Sequence, residues 1–174
     1  MVRSKRPGAE EYDPFYDGYI QTVPDGDIVD RLASELDSGL TFYGAVPKAR
    51  RDYRYSDDKW TLREVLGHVL DTERIFSYRS MCIARGDQTA LPGMDQDEYM
   101  AGADFGRRSW DSLMSEYEHL RRANLALVSS FGETELQRRG TASGLPISVR
   151  ALVWILAGHE MHHRNVIQER YLAD

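Results

Sequence analysis

The chain has 174 residues, 41% hydrophobic and 29% charged, which is a balance typical of a single globular domain. Its net charge of −6 argues against a nucleic-acid partner, because phosphate binding requires clustered lysine and arginine. No stretch is apolar enough for a membrane span or a signal peptide, so we expect a cytoplasmic protein without a membrane partner. Cys82, the only cysteine, excludes internal disulfides and multi-cysteine zinc sites and is predicted to be a core residue.

The first 24 residues show neither helical nor strand periodicity. They contain an aromatic cluster among glycine, proline and aspartate: Tyr12, Phe15, Tyr16 and Tyr19. We therefore predict an irregular N-terminal arm over residues 1–24 that packs on a domain formed by residues 25–174.

Two helices are predicted in the first half of the domain. Apolar residues recur every fourth position over residues 27–45: Ile28, Leu32, Leu36 and Leu40. Thr61 and Glu64 then have the spacing of a capping box, which predicts a second helix that runs to about residue 85 and ends at a left-handed Gly86. His68 lies on the inward column of this helix.

Two further helices complete the predicted fold. Residues 87–107 form a long connection, residues 107–130 a third helix with His119 on its surface, and residues 132–146 a loop. Ser148 is a good N-cap for a final helix that ends near residue 171. The fold class is therefore all-α, a four-helix bundle whose long second connection indicates a crossover.

Histidines on inward helical faces are the main functional signal. His159 and His163 are four residues apart and share the core-facing side of the last helix, while His68 faces the core from another helix. Burying these imidazoles without partners would cost about a few kcal/mol, whereas one divalent metal would satisfy them together. Three neutral imidazoles with one open position are typical of a catalytic zinc-type site.

Other interpretations of these histidines stay open. They could be structural, with His68 bonded to a buried carbonyl and the other two bonded to Asp71 or Glu73. The segment from His159 to His163 also matches H-E-x-x-H, the zinc-protease helix that uses its glutamate as general base. A protease would need a further downstream ligand and an edge strand, and neither is seen; Glu160 also lies about 100° from the histidine face.

Several polar residues near the histidines are candidates for a second layer or for substrate binding. Asp71 and Glu73 could orient a ligand histidine, and Glu160 and His162 adjoin the ligands. Arg79 lies eleven residues after His68, near the same helical face. It could bind an anionic substrate or form an ion pair within the bundle.

Two motifs carry a resemblance to a known family: W-T-L-R-E-V-L-G-H-V-L-D-T-E-R from Trp60, and G-H-E-M-H-H-R, which ends at Arg164. Over about residues 25–172 the chain resembles the DinB-like superfamily of metal-dependent enzymes. The resemblance implies a four-helix bundle with a crossover, often a homodimer, that holds zinc or nickel through His68, His159 and His163. Relatives often continue H-R-G-Q, where this chain has His163-Arg164-Asn165-Val166, so Arg164 is a second-layer candidate in an altered context.

The resemblance also implies a reaction, because characterised relatives include transferases that use low-molecular-weight thiols. A bound metal would lower the pKa of such a thiol and make it a nucleophile at neutral pH. The leading hypothesis is therefore a metal-dependent thiol S-transferase that acts on a small electrophile. The alternatives are a non-catalytic, stress-induced metal-binding helical protein and a metal-dependent hydrolase.

Overall fold

A computed structural model describes residues 5–173. Its helices are α1 (Asp17–Thr22), α2 (Ile28–Gly44), α3 (Leu62–Ala84), α4 (Gln96–Gly102), α5 (Trp110–Ser129), α6 (Glu133–Gln137) and α7 (Val149–Val166), the last continuing as a π-helical turn over Ile167–Tyr171. Strands β1 (Arg139–Ala142) and β2 (Leu145–Ser148) pair as one antiparallel hairpin. The four longest helices, α2, α3, α5 and α7, form the predicted four-helix bundle.

The bundle contains the predicted crossover. Helix α3 packs on α5 and α7, and α2 packs on the other sides of the same two helices. Near the starts of α3 and α5, the Arg63 guanidinium donates to the Arg108 carbonyl, and further along both helices Arg121 donates to Glu73. Helices α3 and α5 are therefore parallel, so the connection between them must return along the length of the bundle.

Local sequence signals fix the ends of the helices that carry the candidate site. Thr61 Oγ1 accepts from the Glu64 backbone N–H at 3.2 Å, and the Glu64 carboxylate accepts from the Thr61 N–H at 2.7 Å, so the capping box is confirmed. Gly86 ends α3 with a φ of +86°, and Ser148 Oγ caps α7 by accepting from the Ala151 N–H. Cys82 is buried in the core and His119 is exposed, as predicted.

Three segments predicted to be irregular contain short regular elements. The arm forms α1, which packs on α7; residues 1–4 of the predicted arm lie outside the described part. The connection over residues 87–107 contains α4, because the Asp95 side chain accepts from the N–H groups of Asp97 and Glu98. The predicted loop over residues 132–146 contains α6 and most of the hairpin.

The hairpin forms around a Ser-Gly turn. Ser143 and Gly144 have φ values of 54° and 76°, the left-handed conformation that a two-residue type I′ turn requires at both central positions. The Leu91 N–H donates to the Thr141 carbonyl, and the Ser143 N–H donates to the Leu91 carbonyl. The hairpin is thereby attached to the crossover connection.

A close helix contact holds the arm against α7. A Cβ at Gly158 would lie 1.9 Å from the backbone carbonyl oxygen of Tyr19, so only glycine allows the two backbones to approach this closely. This contact places the Tyr19 ring against the middle of α7.

A buried ion pair joins α3 to α5. The Glu73 carboxylate accepts from two nitrogens of Arg121, each at 2.8 Å, and from the Asn124 amide at 3.0 Å. Both charged side chains are almost completely buried. This bidentate geometry compensates their desolvation, whereas a single partner left alone would be a buried, unpaired charge.

Within residues 5–173, no helix combines the length and the apolar character that crossing a membrane requires.

We expect Gly158→Ala to lower the free energy of unfolding by about 2 kcal/mol or more, because the added methyl group collides with backbone rather than with a side chain that can rotate. Urea denaturation followed by circular dichroism measures the change. The matched control is Gly18→Ala in α1, where a Cβ meets nothing within 4 Å. Equal stability of the Gly158 variant and the parent would contradict the contact.

Glu73→Gln is expected to destabilise the fold by about 3 kcal/mol or more, since it removes the charge of the carboxylate that hydrogen bonds to the buried Arg121. The same denaturation measurement applies. As a control, Glu118→Gln removes an exposed ion pair with Arg122 and should cost less than about 0.5 kcal/mol. Similar decreases in the free energy of unfolding of the two variants would show that the buried ion pair stabilises the fold no more than the exposed one.

Candidate metal centre

Three histidine side chains meet between α3 and α7. The Nε2 atom of His159 lies 3.1 Å from Nε2 of His68 and 3.2 Å from Nε2 of His163. One ligand nitrogen from each ring lies within 4.8 Å of the others. The structure therefore brings together the three residues that the sequence selects as metal ligands.

Helix geometry explains this convergence. His159 and His163 are one turn apart on α7 and so project from the same face. His68 projects from α3, which packs closely against α7. Aromatic rings surround the three histidines: Trp60 lies 4.9 Å from the His68 ring, and Tyr19 and Phe76 lie 5.3 Å and 6.1 Å from the His159 ring, measured between centroids.

Burial keeps the imidazoles neutral. Desolvation lowers the pKa of His68 to about 4 and, together with the neighbouring histidines, that of His163 to about 3. The pKa of His159 is lowered well below its usual range for the same reasons. At neutral pH all three rings are therefore uncharged, which is the state in which imidazole binds a metal.

A bound cation satisfies the three ring nitrogens better than hydrogen bonds among the rings can. A neutral imidazole nitrogen carries either one proton or one lone pair, so His159 Nε2 is unable to bond well to both neighbours at once. A cation between the rings accepts a lone pair from each. Ligand nitrogens around a tetrahedral zinc ion with bonds of about 2.0–2.1 Å are separated by about 3.3 Å, close to the 3.1 Å and 3.2 Å separations here.

One hydroxyl is placed to orient a ligand ring. Thr72 Oγ1 lies 3.4 Å from His68 Nδ1. An Nδ1–H that donates to this hydroxyl leaves the Nε2 lone pair free to face the other histidines.

The two carboxylates suggested for this orienting role lie elsewhere. Glu73 is bound to Arg121 and Asn124, and Asp71 lies 3.7 Å from Arg74 on the surface of α3. Burial raises the pKa of Asp71. Among residues 5–173, no carboxylate hydrogen bonds to the three histidines, so the structural alternative in which Asp71 or Glu73 satisfies them is wrong.

Glu160 and Arg164 lie on a different face of α7. A Glu160 oxygen is 3.0 Å from the Arg164 guanidinium, which also pairs with Glu35 of α2. Burial raises the pKa of Glu160 to about 7, and its electrostatic neighbours are Arg121, Glu73 and two tyrosines rather than the histidines. The H-E-x-x-H match therefore lacks a glutamate at the position of a general base.

His162, a candidate for the second layer, is exposed. Its ring makes edge contacts with Tyr19 and His163, each with a centroid separation of 5.3 Å. It faces the rim of the histidine cluster rather than its centre.

Two cavities border the histidines. The first, which we call the Arg79 cavity, has about 270 Å³ and is bordered by His68, His159 and Arg79. The second, the Lys59 cavity, has about 330 Å³ and is bordered by His163 and Lys59. Gln96, at the start of α4, borders both. The histidine cluster is therefore open to small molecules on two sides.

Arg79 is buried in the wall of the first cavity. Its Nη2 donates to the Pro92 carbonyl at 2.6 Å and to Ser143 Oγ at 3.1 Å. Within the described residues Arg79 forms no ion pair, in contrast to the predicted alternative of an ion pair inside the bundle. Its guanidinium instead shares a cavity with His68 and His159.

Sequence reasoning missed several residues around the cavities. Thr72 and Phe76 lie four and eight residues after His68 on α3, so helical spacing could have found them. Tyr19, Gln96 and Ser143 belong to segments outside the bundle helices, and no periodicity indicated their place.

The fold is similar to two solved structures from Bacillus subtilis. One is YfiT, described as a probable metal-dependent hydrolase with an unusual four-helix bundle topology; it has 17% identity and a TM-score of 0.71, and the match covers 95% of this chain and 91% of YfiT. The other is the DinB-like protein YjoA, with 18% identity, a TM-score of 0.58 and coverage of 82% and 87%. No curated protein matches the sequence significantly.

The comparison with protein families agrees with the motifs around the histidines. The family model of the DinB superfamily matches residues 36–167, which include all three histidines and well over half of the chain. This chain belongs to the DinB superfamily.

Proposed function

We propose that the protein is a metal-dependent enzyme that binds one divalent ion through His68, His159 and His163. The observation that carries this proposal is the convergence of three neutral imidazoles, with Nε2 separations of 3.1 Å and 3.2 Å, beside two cavities. The similarity in fold to YfiT, described as a probable metal-dependent hydrolase, supports metal-dependent chemistry. Imidazole ligands suit zinc and nickel, which are the ions we expect.

We propose further that the reaction is the transfer of a low-molecular-weight thiol to a small electrophile. A divalent ion held by the three histidines supplies Lewis acidity, which lowers the pKa of a thiol or water that binds there. In the transfer, a carbon–sulfur bond forms while the bond from that carbon to its leaving group breaks; the leaving group keeps the electron pair, and the thiol proton passes to solvent.

Two features of the site support a two-substrate transfer. The Arg79 cavity and the Lys59 cavity give the thiol and the electrophile separate places beside the same cluster. Among the described residues that border the Arg79 cavity, none is an aspartate or a glutamate. A thiol that is already ionised needs no carboxylate base, whereas activation of water is commonly assisted by one.

Hydrolysis is the second candidate, favoured by the description of YfiT. A hydrolase would need a base on the side of the Lys59 cavity, which is bordered by Asp58 and Asp97. Hydrogen bonds from Lys59 and Ser56 lower the pKa of Asp58 to about 2, which makes it a weak base. A stress-induced metal-binding protein without catalytic activity is the third candidate.

Elemental analysis of protein purified without a nickel column tests the metal site. We expect about one equivalent of zinc or nickel in the parent and less than about a tenth of it in His68→Ala and His163→Ala, because each variant removes one of three ligands. The exposed His119→Ala is the matched control and should retain the parent content. A parent that stays free of metal after incubation with both ions would refute the site.

A turnover assay separates the three candidate functions. The metal-loaded protein is incubated with cysteine or glutathione and chlorodinitrobenzene, and separately with nitrophenyl acetate without a thiol. We expect thiol-dependent conversion that falls about a hundredfold or more on chelation and in His163→Ala, since loss of the Lewis acid raises the barrier by several kcal/mol.

Other outcomes would point away from the transferase. Metal-dependent ester cleavage without a thiol would favour the hydrolase. Absence of both activities in protein that holds its metal would favour the non-catalytic protein.

A further inference from the structure

We propose that the Arg79 cavity binds the carboxylate of a small, flat organic acid, with Arg79 as the cationic partner. The identification of this acid as the substrate rests on the proposed function. The binding site itself is argued from the cavity and needs no metal.

The first observation is the state of the Arg79 guanidinium. The residue is only 5% exposed, yet within residues 5–173 its hydrogen-bond partners are neutral oxygens rather than carboxylates. Its Nη2 bonds to the Pro92 carbonyl and to Ser143 Oγ, while Nε and Nη1 donate to no described protein atom. Neither nitrogen is a fully buried atom without a partner, so both are accessible from the cavity, where an anion is the favoured partner of a cation.

The second observation is the charge of the cavity. Among its described lining residues, Arg79 is the only one with a permanently charged side chain, and none is an aspartate or a glutamate. Arginine stays protonated in proteins, even where burial lowers its pKa as it does here. No carboxylate among the described lining residues competes with a bound anion for the guanidinium.

The third observation is the shape of the wall. Four aromatic rings line the cavity: Phe15, Tyr16, Tyr19 and Phe76. The Phe15 and Tyr16 rings meet edge-on at 5.1 Å, and the Tyr16 and Phe76 rings at 6.4 Å. Such walls suit a flat, apolar group, and the volume of about 270 Å³ limits the ligand to a small molecule.

The distance between Arg79 and His68 along α3 indicates how the acid would be oriented in the cavity. Arg79 and His68 are eleven residues apart, or about 16 Å along the axis at 1.5 Å per residue. Both side chains lean back toward the start of the helix, and the longer arginine side chain reaches further, so the two groups are closer than this axial distance. An acid with its carboxylate at one end and its electrophilic carbon toward the other end can therefore contact both Arg79 and the histidine cluster.

A structural role for Arg79 explains only part of its environment. The bonds from Nη2 connect the crossover at Pro92 with the hairpin turn at Ser143. They account for one nitrogen, and the guanidinium carbon also lies 5.8 Å from the centre of the Phe76 ring, while Nε and Nη1 donate to no described protein atom. A purely structural arginine should affect stability without distinguishing a charged ligand from a neutral one, and this difference is the basis of the test.

Cinnamate is a suitable probe because it is flat, elongated and anionic, and cinnamamide is its neutral counterpart. Titration calorimetry is done on the full chain as purified and after chelation, at low salt. We expect saturable binding of cinnamate in both states, at least about tenfold tighter than that of cinnamamide, as a charge-assisted hydrogen bond predicts. Equal affinity for the two probes, or no cinnamate binding in either state, would overturn the proposal without any variant.

Arg79→Gln should weaken cinnamate binding by about tenfold to a hundredfold and leave cinnamamide binding unchanged. Arg79→Lys should keep most of the preference for the anion. The control Arg122→Gln removes an exposed arginine that pairs with Glu118 and should change neither affinity. Unchanged cinnamate affinity in a folded Arg79→Gln would overturn the proposal.

Metal content measured on the same samples separates this inference from the proposed function. Cinnamate binding by a chain that never acquires metal would support the acid site and refute the metal-dependent function. A metal-loaded chain that shows no preference for the anion would refute the acid site alone.

Discussion

The packing of α3 against α7 is the constraint on which the rest of the site depends, because it forces three imidazole nitrogens to face one another in a buried space. His159 Nε2 lies 3.1 Å and 3.2 Å from its two neighbours, and one proton or one lone pair is not enough to satisfy both contacts. The cost of this arrangement must be offset by the surrounding core or by a bound cation. Stability and function therefore depend on the same helix pair.

Polar groups on α7 are separated by face, and this separation keeps the histidines neutral. His159 and His163 face α3, whereas Glu160 and Arg164 lie on the side of α2. There the Arg164 guanidinium pairs with both Glu160 and Glu35. A carboxylate beside the imidazoles would favour their charged form, which does not bind metal. The buried acids are instead held by arginines on other faces.

The parts of the fold that follow from periodicity could be predicted from sequence. His68, His159 and His163 lie on inward columns of long helices, so their meeting followed from spacing once a bundle was assumed. The attachment of the hairpin to the crossover, with Ser143 Oγ beside Arg79, could not be predicted because it depends on contacts between distant segments. The Ser143-Gly144 turn was a local signal that a helical interpretation of the chain left unused.

The bundle helices and the segments packed around them contribute different parts of the site. The bundle helices supply the three histidines and Arg79, whose positions are fixed by packing along their whole length. The arm, the crossover and the hairpin supply Tyr19, Gln96 and Ser143, which complete the cavity walls. Because peripheral segments tolerate changes in length and sequence better than packed helices do, they can alter which molecule enters without moving the ligands. Metal binding is thus a property of the bundle, whereas the choice of substrate depends on the segments packed around it.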